Sequence, residues 1–448
     1  MSETDSTTRR RQRTVSWVVA LSTIVLVFDG YDLVVYGTVL PTLLKDPTQL
    51  GAITPGQAGT LGSYALIGVL VGALVAGTLG DLIGRRRIML INLAWFSVGM
   101  GATALTQSVA AFGIGRFFTG IGVGALVATV GPLVAEFADP GRRNRLNAIV
   151  YSGVPAGGVL AGLLALVLDD VVGWRGLFWI GALPIVLVLP LALVKLPESP
   201  KWLAARGKVE QAKALAERTG IELRTEPAAP AGSVRAGFPA LASKDLAWPT
   251  ALLGLMSFAG LLLTYGLNTW LPQIMANNGY GKTYSLTFLL VLNLGAIVGG
   301  LVASLWADRA GAKRVVATTF VLAAGTLALL PLKLPLFVLL LAVAVAGIGT
   351  IGTQVLIYGL VSNYYPTRAR AAGVAWCAGF GRIGGIVGPV VGGLLVGAGL
   401  GGTTAFYLFA AVAAGAAAVT LLVPRSHDEE EAAERPLVAA AAGSSNPV

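Results

Sequence analysis

Charge is what this sequence has least of. Only 12% of its 448 residues are Asp, Glu, Lys or Arg, where a soluble globular chain carries roughly a quarter. Together with a hydrophobic share of 55% and a mean hydropathy of +0.76, this excludes a water-soluble enzyme or a DNA-binding protein, despite a net charge of +10 and a pI near 9.8. Cysteine is nearly absent as well, and the single Cys377 allows no intramolecular disulfide. The lone histidine, His427, lies in the polar tail. That excludes a histidine relay, a His-ligated zinc protease site and a Ser/His triad within a bilayer, so proton chemistry there must use carboxylates. No nucleotide loop, metal cluster or catalytic triad points to an enzyme or to a cofactor. No appended soluble domain points to a signalling receptor.

What fills the chain instead is apolar runs. A bilayer core of about 30 Å needs about 20 apolar residues at 1.5 Å each. Twelve such stretches, spans 1 to 12, run near 16–43, 57–79, 88–106, 110–137, 146–168, 174–195, 248–276, 284–307, 314–331, 335–363, 371–397 and 401–423. The basic opening Arg9-Arg10-Arg11-Gln12-Arg13 has no small-residue cleavage site after it and reads as a cytoplasmic anchor. With the N-terminus inside, the cytoplasmic segments hold 26 Lys and Arg against four outside. That asymmetry is the positive-inside pattern: both termini are cytoplasmic, the span count is even, and the basic pI needs no nucleic acid. The expected organisation is a cytoplasmic tail (1–15), a six-helix bundle (16–197), a cytoplasmic linker (198–247), a second six-helix bundle (248–424) and a disordered cytoplasmic tail (425–448). Within the linker, Lys201 to Arg218 reads as one helix with a mixed-charge face, and Glu226 to Gly237 as a Pro/Ala/Gly connector.

The two halves echo each other. Gly77-Thr-Leu-Gly-Asp81-Leu-Ile-Gly84-Arg85-Arg86-Arg87 after span 2 matches Ser304-Leu-Trp-Ala-Asp308-Arg309-Ala-Gly311-Ala-Lys313-Arg314 after span 8 at an offset of 227. Pro197-Glu-Ser and Pro424-Arg-Ser share that offset, and Pro140-Gly-Arg142 and Pro366-Thr-Arg368 lie 226 apart. A duplicated six-span unit places a cavity between the halves, which rocking can expose alternately to the two sides. The Asp81 loop, the span 4 pattern Arg116-x3-Gly120-x-Gly122-x-Gly124 with Pro132 and Glu136, and Pro197-Glu-Ser-Pro-Lys-Trp202 resemble the major facilitator superfamily. Within it, span 1 (Phe28-Asp29-Gly30-Tyr31-Asp32 through Tyr36-Gly37 to Pro41), Trp270-Leu-Pro272 and Gly381-Arg382-Ile-Gly look like the aromatic acid:proton symporter family. The resemblance covers nearly the whole chain. It implies an all-α membrane protein of two pseudo-symmetric bundles in the cytoplasmic membrane of a bacterium.

Four ionisable residues fall within spans: Asp29, Asp32, Arg116 and Arg382. A charge at the bilayer centre costs about 2.5 to 3.5 kcal/mol even on lenient scales, so each is a functional candidate. Asp29 and Asp32 are three apart, which places them on one helical face. Close carboxylates in a low dielectric resist ionising together, which suits a proton carrier. Arg116 lies roughly 9 Å and Asp32 roughly 16 Å below the outer ends of their spans, near enough to pair, and Arg382 is roughly 16 Å from either side. The expected mechanism has Arg382 receiving a substrate carboxylate while Asp32, with Asp29 beside it, exchanges a proton and alternately pairs with Arg116. Proton-coupled sugar carriers of the same superfamily have a similar span 1 Gly-Tyr-Asp and span 4 Arg, which favours Asp32 as the coupling residue. The opposing reading is a permanent Asp32–Arg116 pair.

An aromatic acid also needs flat apolar walls and a few polar fixers. Tyr36, Tyr151, Tyr265, Asn268, Asn293, Gln354 and Trp376 fall near mid-span depth. The resemblance further implies that Asp81, Arg85, Glu136, Arg142, Glu198, Asp308 and Arg368, at inner span ends, pair between helices as a cytoplasmic gate. The second copy has Ser304 for Gly and Ala312 for Arg, so its lock is expected to be looser. Dense glycines at Gly153–Gly158 and Gly384–Gly393 fit close helix contact. A Gly-Pro-x-x-Gly-Gly run similar to one in antiporters lies in span 11 rather than span 5 and is discounted. The resulting expectation is a monomeric, proton-coupled importer of a small aromatic carboxylate of benzoate or hydroxybenzoate type, working by alternating access. The alternative is a proton-coupled exporter or exchanger of amphipathic compounds or another organic anion.

Overall fold

In lipid, a backbone must satisfy its own polar groups, and a single apolar run does so only as a helix. The computed structural model, which describes residues 3–139, 142–221 and 237–424, is helical through every one of the twelve apolar runs. Spans 1 to 4 are Glu3–Lys45, Pro55–Ile83, Arg85–Ala104 and Val109–Phe137. Eleven segments among the described residues are long and apolar enough to cross a membrane. One of them, Arg145–Lys195, has 51 residues, about two and a half times the length one crossing needs. It turns at Gly173, whose φ of 64° and ψ of −178° lie outside the helix. Spans 5 and 6 therefore meet there, and the described residues make twelve crossings.

The second half repeats the first. Its helices are Lys244–Asn277, Lys282–Ala310, Ala312–Leu329, then Leu336–Gly347, Ile348–Gly352 and Thr353–Tyr364 as span 10, and Thr367–Gly397 and Gly401–Leu422 as spans 11 and 12. The sequence repeat recurs as geometry. Gly84 (φ 105°) and Gly311 (φ 87°), 227 apart, open spans 3 and 9 in a conformation that costs other residues a clash. A Cβ at Gly68 would run into the carbonyl of Phe117, and one at Gly295 into that of Ala344. The same is true of Gly120 against Ala65 and Gly347 against Leu292, each at the shared offset. The offset then slips by one: Gly124 packs on Val69, but Gly352 packs on Ala296. The added residue is absorbed by the π turn Ile348–Gly352.

The linker differs from expectation. Lys201 to Arg218 forms two helices, Pro200–Ala205 and Val209–Thr219. Ser199 caps the first by accepting from the Trp202 N–H (3.1 Å). Gly207, with φ 73°, breaks the chain between them, because a positive φ cannot continue a right-handed helix. The second helix packs on the start of span 1, where Gly220 lies against the backbone of Thr7 and Arg11. The connector 222–236 and the tail from residue 425 lie outside the described residues.

One face of the bundle carries Arg85–Arg87, Arg142–Arg145 and the linker helices, and is called the basic face. Extensive contacts between the halves join span 1 to 7, 2 to 11 and 5 to 8. The span 2–11 seam lies towards the opposite face: Gly59 abuts the Pro389 carbonyl, Ser63 Oγ donates to Ile386 O (2.5 Å), and Gly393 abuts the Pro55 carbonyl. Lys282, opening span 8, bridges to Asp169 (2.7 Å) and Asp170 at the end of span 5 on the same face. Asp46 in the first loop there accepts from the Gln49 side chain (2.7 Å) and from the Thr48 hydroxyl and N–H, which hold its carboxyl below the usual range. By contrast, spans 4 and 10 make their extensive contacts within their own halves. The space between the halves is thus shut at the opposite face.

Candidate functional site

Span 1 supplies both buried acids. Asp32 is 0% and Asp29 1% exposed, yet they face different arginines. Arg116, one of the largest fully buried side chains, reaches from span 4 to form an ion pair with Asp32 Oδ1 and donates also to the Asp32 carbonyl (3.4 Å). Its guanidinium lies over the rings of Tyr36 (5.4 Å) and Phe178 (5.9 Å), which supply cation–π attraction where water is excluded. Tyr36 is fixed in turn by donating to Ala58 O (2.6 Å). Asp32 Oδ2 and Arg116 Nε stay buried without a hydrogen bond.

Arg382 is the sixteenth residue of the 31-residue span 11 helix, which puts it at mid-span. It is half-buried and, among the described residues, no hydrogen bond or ion pair is made to it. Asp29 senses the charge of Arg382 and then that of Asp32, and its Oδ1 is buried without a partner. Tyr151 of span 5 and Tyr265 of span 7 each interact electrostatically with Arg382, Asp29 and Tyr358. Tyr151 also donates to Val127 O (3.2 Å). Beside this cluster, Trp376 stacks on Phe380 (5.2 Å, 14°), and Phe258 of span 7 lies 5.7 Å from Phe380. A mid-span guanidinium with no ion-pair partner among the described residues, in the field of Tyr151 and Tyr265 and on the helix that carries the Trp376–Phe380 stack, is suited to a planar organic anion.

Sequence reasoning missed Tyr358, Phe258 and Phe380. The signal was present as i,i+4 spacing: Tyr358 follows Gln354, and Phe380 follows Trp376, by one turn of the same face. Of the other candidates, Asn293 donates to Asn268 Oδ1 (2.9 Å) and Leu289 O, while Asn268 donates to Thr264 O. Both amides thus tie span 7 to span 8. Gln354 donates to Ser257 Oγ (3.2 Å), leaving its Oε1 buried and unpaired. Trp376 Nε1 donates to Thr250 O (3.1 Å), so only its ring is free for a ligand. No group of three or more His, Cys, Asp or Glu among the described residues could hold a metal ion.

At the basic face, Arg85 pairs with Glu136 (3.5 Å), and Glu198 Oε1 accepts from the Arg86 N–H (3.0 Å) and the Ser199 N–H. These ties lie within the first half and clamp the ends of spans 3, 4 and 6 together. Arg142 and Asp308 are exposed, and among the described residues neither side chain has an ion-pair partner. The side chains of Asp81 and Arg368 lie outside the described residues.

Comparison with known proteins agrees with this architecture. The sequence model of the Major Facilitator Superfamily matches residues 22–299 and again 287–445. The benzoate transport protein of Acinetobacter baylyi is 32% identical over 391 residues, covering 85% of this chain and 83% of that protein. The gentisate transporter of Corynebacterium glutamicum is 34% identical over 387 residues (86% and 82%), and the 4-hydroxybenzoate transporter PcaK of Acinetobacter baylyi 31% over 398 (85% and 85%). Among solved structures, the partially occluded inward open xylose transporter XylE of E. coli superposes with a TM-score of 0.72 at 19% identity, covering 92% of this chain and 98% of that one. That likeness concerns the fold. The chain is a multi-pass membrane transporter that belongs to the Major Facilitator Superfamily, within its aromatic acid transporters.

Proposed function

We propose that the protein imports a small aromatic carboxylate of benzoate or hydroxybenzoate type together with protons, by alternating access. The observation that carries this reading is Arg382: a mid-span guanidinium with no ion-pair partner among the described residues, interacting electrostatically with Asp29, Tyr151 and Tyr265 and sharing its helix with the Trp376–Phe380 stack. Leaving such a charge uncompensated in a low dielectric is costly, and a bound carboxylate removes the cost. The names of the relatives, carriers of benzoate, gentisate and 4-hydroxybenzoate, support the ring and the acid. Asp29 and Asp32 are the groups able to carry the proton, since an isolated buried carboxylate becomes neutral on binding one. Asp32, when protonated, releases Arg116 from its pair. The basic face is read as cytoplasmic, with both termini on it. The conformation described is then closed outside, and the Arg85–Glu136 and Glu198 ties hold the first half rigid as it rocks.

The test is uptake of a panel of radiolabelled aromatic acids into proteoliposomes with and without an inward proton gradient. Gradient-dependent accumulation of one or more is the expected result. In Arg382→Ala the apparent affinity falls by about tenfold or more, as for loss of a hydrogen bond to a charged group. Failure of every aromatic acid to be accumulated or to compete contradicts the reading.

A further inference from the structure

Side-chain amides in membrane spans bond across to neighbouring helices, and two of them here bond to each other. Asn293 of span 8 donates to Asn268 Oδ1 of span 7 (2.9 Å) and to Leu289 O (3.0 Å), while Asn268 donates to Thr264 O (2.8 Å). Both are buried, and among the described residues no hydrogen bond runs from either amide to the first half. Each nevertheless abuts that half. A Cβ on Gly158 of span 5 would collide with Asn293 Oδ1 and lie 2.6 Å from its Cγ, and one on Gly37 of span 1 would collide with the Asn268 carbonyl. One turn beyond Gly158, a Cβ on Gly162 would lie 3.2 Å from Leu290 Cβ. The amide pair thus rests on spans 1 and 5 at two glycines, with its own hydrogen bonds made inside the second half.

Depth separates this contact from the span 2–11 seam. Asn268 is nine residues from the end of span 7 at Asn277, and Asn293 eleven from the start of span 8 at Lys282. That places them roughly 14 and 16 Å below the face opposite the basic one, near the middle of a core about 30 Å thick. Gly393, which abuts the Pro55 carbonyl in the seam, is four residues from the end of span 11 at Gly397, or roughly 6 Å below that face. When one rigid half rocks on the other, points near the faces travel furthest and points at mid-depth least. We infer that the Asn268–Asn293 pair, seated on Gly37 and Gly158, is the bearing on which the halves turn, kept in both conformations while the seam opens and closes. No hydrogen bond has to break as these surfaces turn, because none crosses between them. The glycines are required because a side chain at either position would strike the pair in every conformation. The inference goes beyond the proposed function, since it concerns the motion and holds for any cargo.

The test uses the purified full chain carrying Cys377→Ala and Ser63→Cys as its reference, so that labelling of one thiol by a water-soluble reagent reports opening of the seam. A clash present in both conformations lowers stability without shifting the balance between them, whereas a clash confined to one conformation shifts it. Gly158→Ala is therefore expected to lower the unfolding temperature and to leave the labelling rate within about twofold of the reference. Gly393→Ala, which strikes Pro55 in the seam, is expected to raise that rate about tenfold or more, the scale of an overpacked buried contact. A change of about tenfold in the labelling of Gly158→Ala, in either direction, shows that the contact parts as the seam opens and overturns the inference. An unfolding temperature equal to the reference overturns it as well. Should Gly158→Ala not fold, Gly162→Cys with Leu290→Cys decides, because their Cβ atoms would lie near the separation of a disulfide. Labelling at Ser63→Cys that continues after oxidation supports the inference, and labelling that stops on oxidation overturns it. No step requires a substrate, so failure of every aromatic acid to be transported contradicts the proposed function and leaves the inference standing.

Discussion

Asp29 and Asp32 are three residues apart, and the chemistry assigned to them depends on which arginine each one meets. Asp32 is held by Arg116, while Asp29 faces Arg382. Breaking a buried pair by removing one charge strands the other, at about 3 to 5 kcal/mol. Asp32→Asn is therefore expected to lower the thermal stability of the purified protein and to abolish gradient-driven accumulation. The double variant Asp32→Asn with Arg116→Gln restores stability and leaves accumulation absent. If the double variant accumulates substrate like the unaltered protein, the pair is structural and carries no proton. All four membrane charges were legible in the sequence, because scarcity of charge made each conspicuous. The Asp32–Arg116 pair was legible with them; that Asp29 turns towards Arg382 instead was not, since a spacing of three leaves about 60° between side chains on a helix, enough to aim them at different neighbours. The amides Asn268 and Asn293 show the same limit: depth marked them, but only the fold reveals that they bond to each other.

At the level of the element, turn glycines and the π turn set what the helices present. Gly84 opens span 3 at φ 105°, and a Cβ there would meet Glu198 Oε2 at 2.5 Å, where Glu198 caps the Arg86 N–H. Gly84→Ala adds a left-handed penalty of about 1 to 2 kcal/mol to the loss of that contact. The expected outcome is a lower unfolding temperature, with the clamp between the start of span 3 and the end of span 6 loosened. An unaltered temperature contradicts the role given to this turn. In span 10 the extra residue is taken up by the π turn Ile348–Gly352, so the helix Thr353–Tyr364 keeps the faces of span 4 with its residues shifted by one position, as the matching contacts of Gly124 and Gly352 show. Apart from the start of span 1, where the helix begins at Glu3 rather than near residue 16, helix ends were readable from Gly, Pro and basic residues to within a few positions. The π turn and the break at Gly207 were not, because each lies inside a sequence whose helix propensity is intact on both sides.

For the whole molecule, the question is how one conformation gives way to another. The described state is closed at the face opposite the basic one, through the span 2–11 seam and the Lys282 bridge to Asp169 and Asp170. The Lys282 side chain is 49% exposed, so the bridge contributes at most about 1 kcal/mol, a several-fold shift in population. Lys282→Met is expected to raise the labelling rate of a cysteine placed at Ser63, within the seam, by about that factor; an unchanged rate shows that the bridge does not hold this face shut. The duplicated architecture was legible from three motif pairs at nearly one offset, and the glycine contacts at Gly68, Gly120, Gly295 and Gly347 give that duplication its physical basis. The direction in which the bundle is closed was not legible, since both states use the same residues and differ only in which ends touch.

The central claim is that Arg382 receives the carboxylate of an aromatic acid moving with protons. Uptake of labelled benzoate and 4-hydroxybenzoate into proteoliposomes under an imposed proton gradient, compared between the unaltered protein and Arg382→Ala, tests it most directly. The account predicts accumulation that collapses with the gradient, and an apparent affinity about tenfold or more weaker in the variant. Accumulation that ignores the gradient, or an affinity that survives the loss of Arg382, would contradict it.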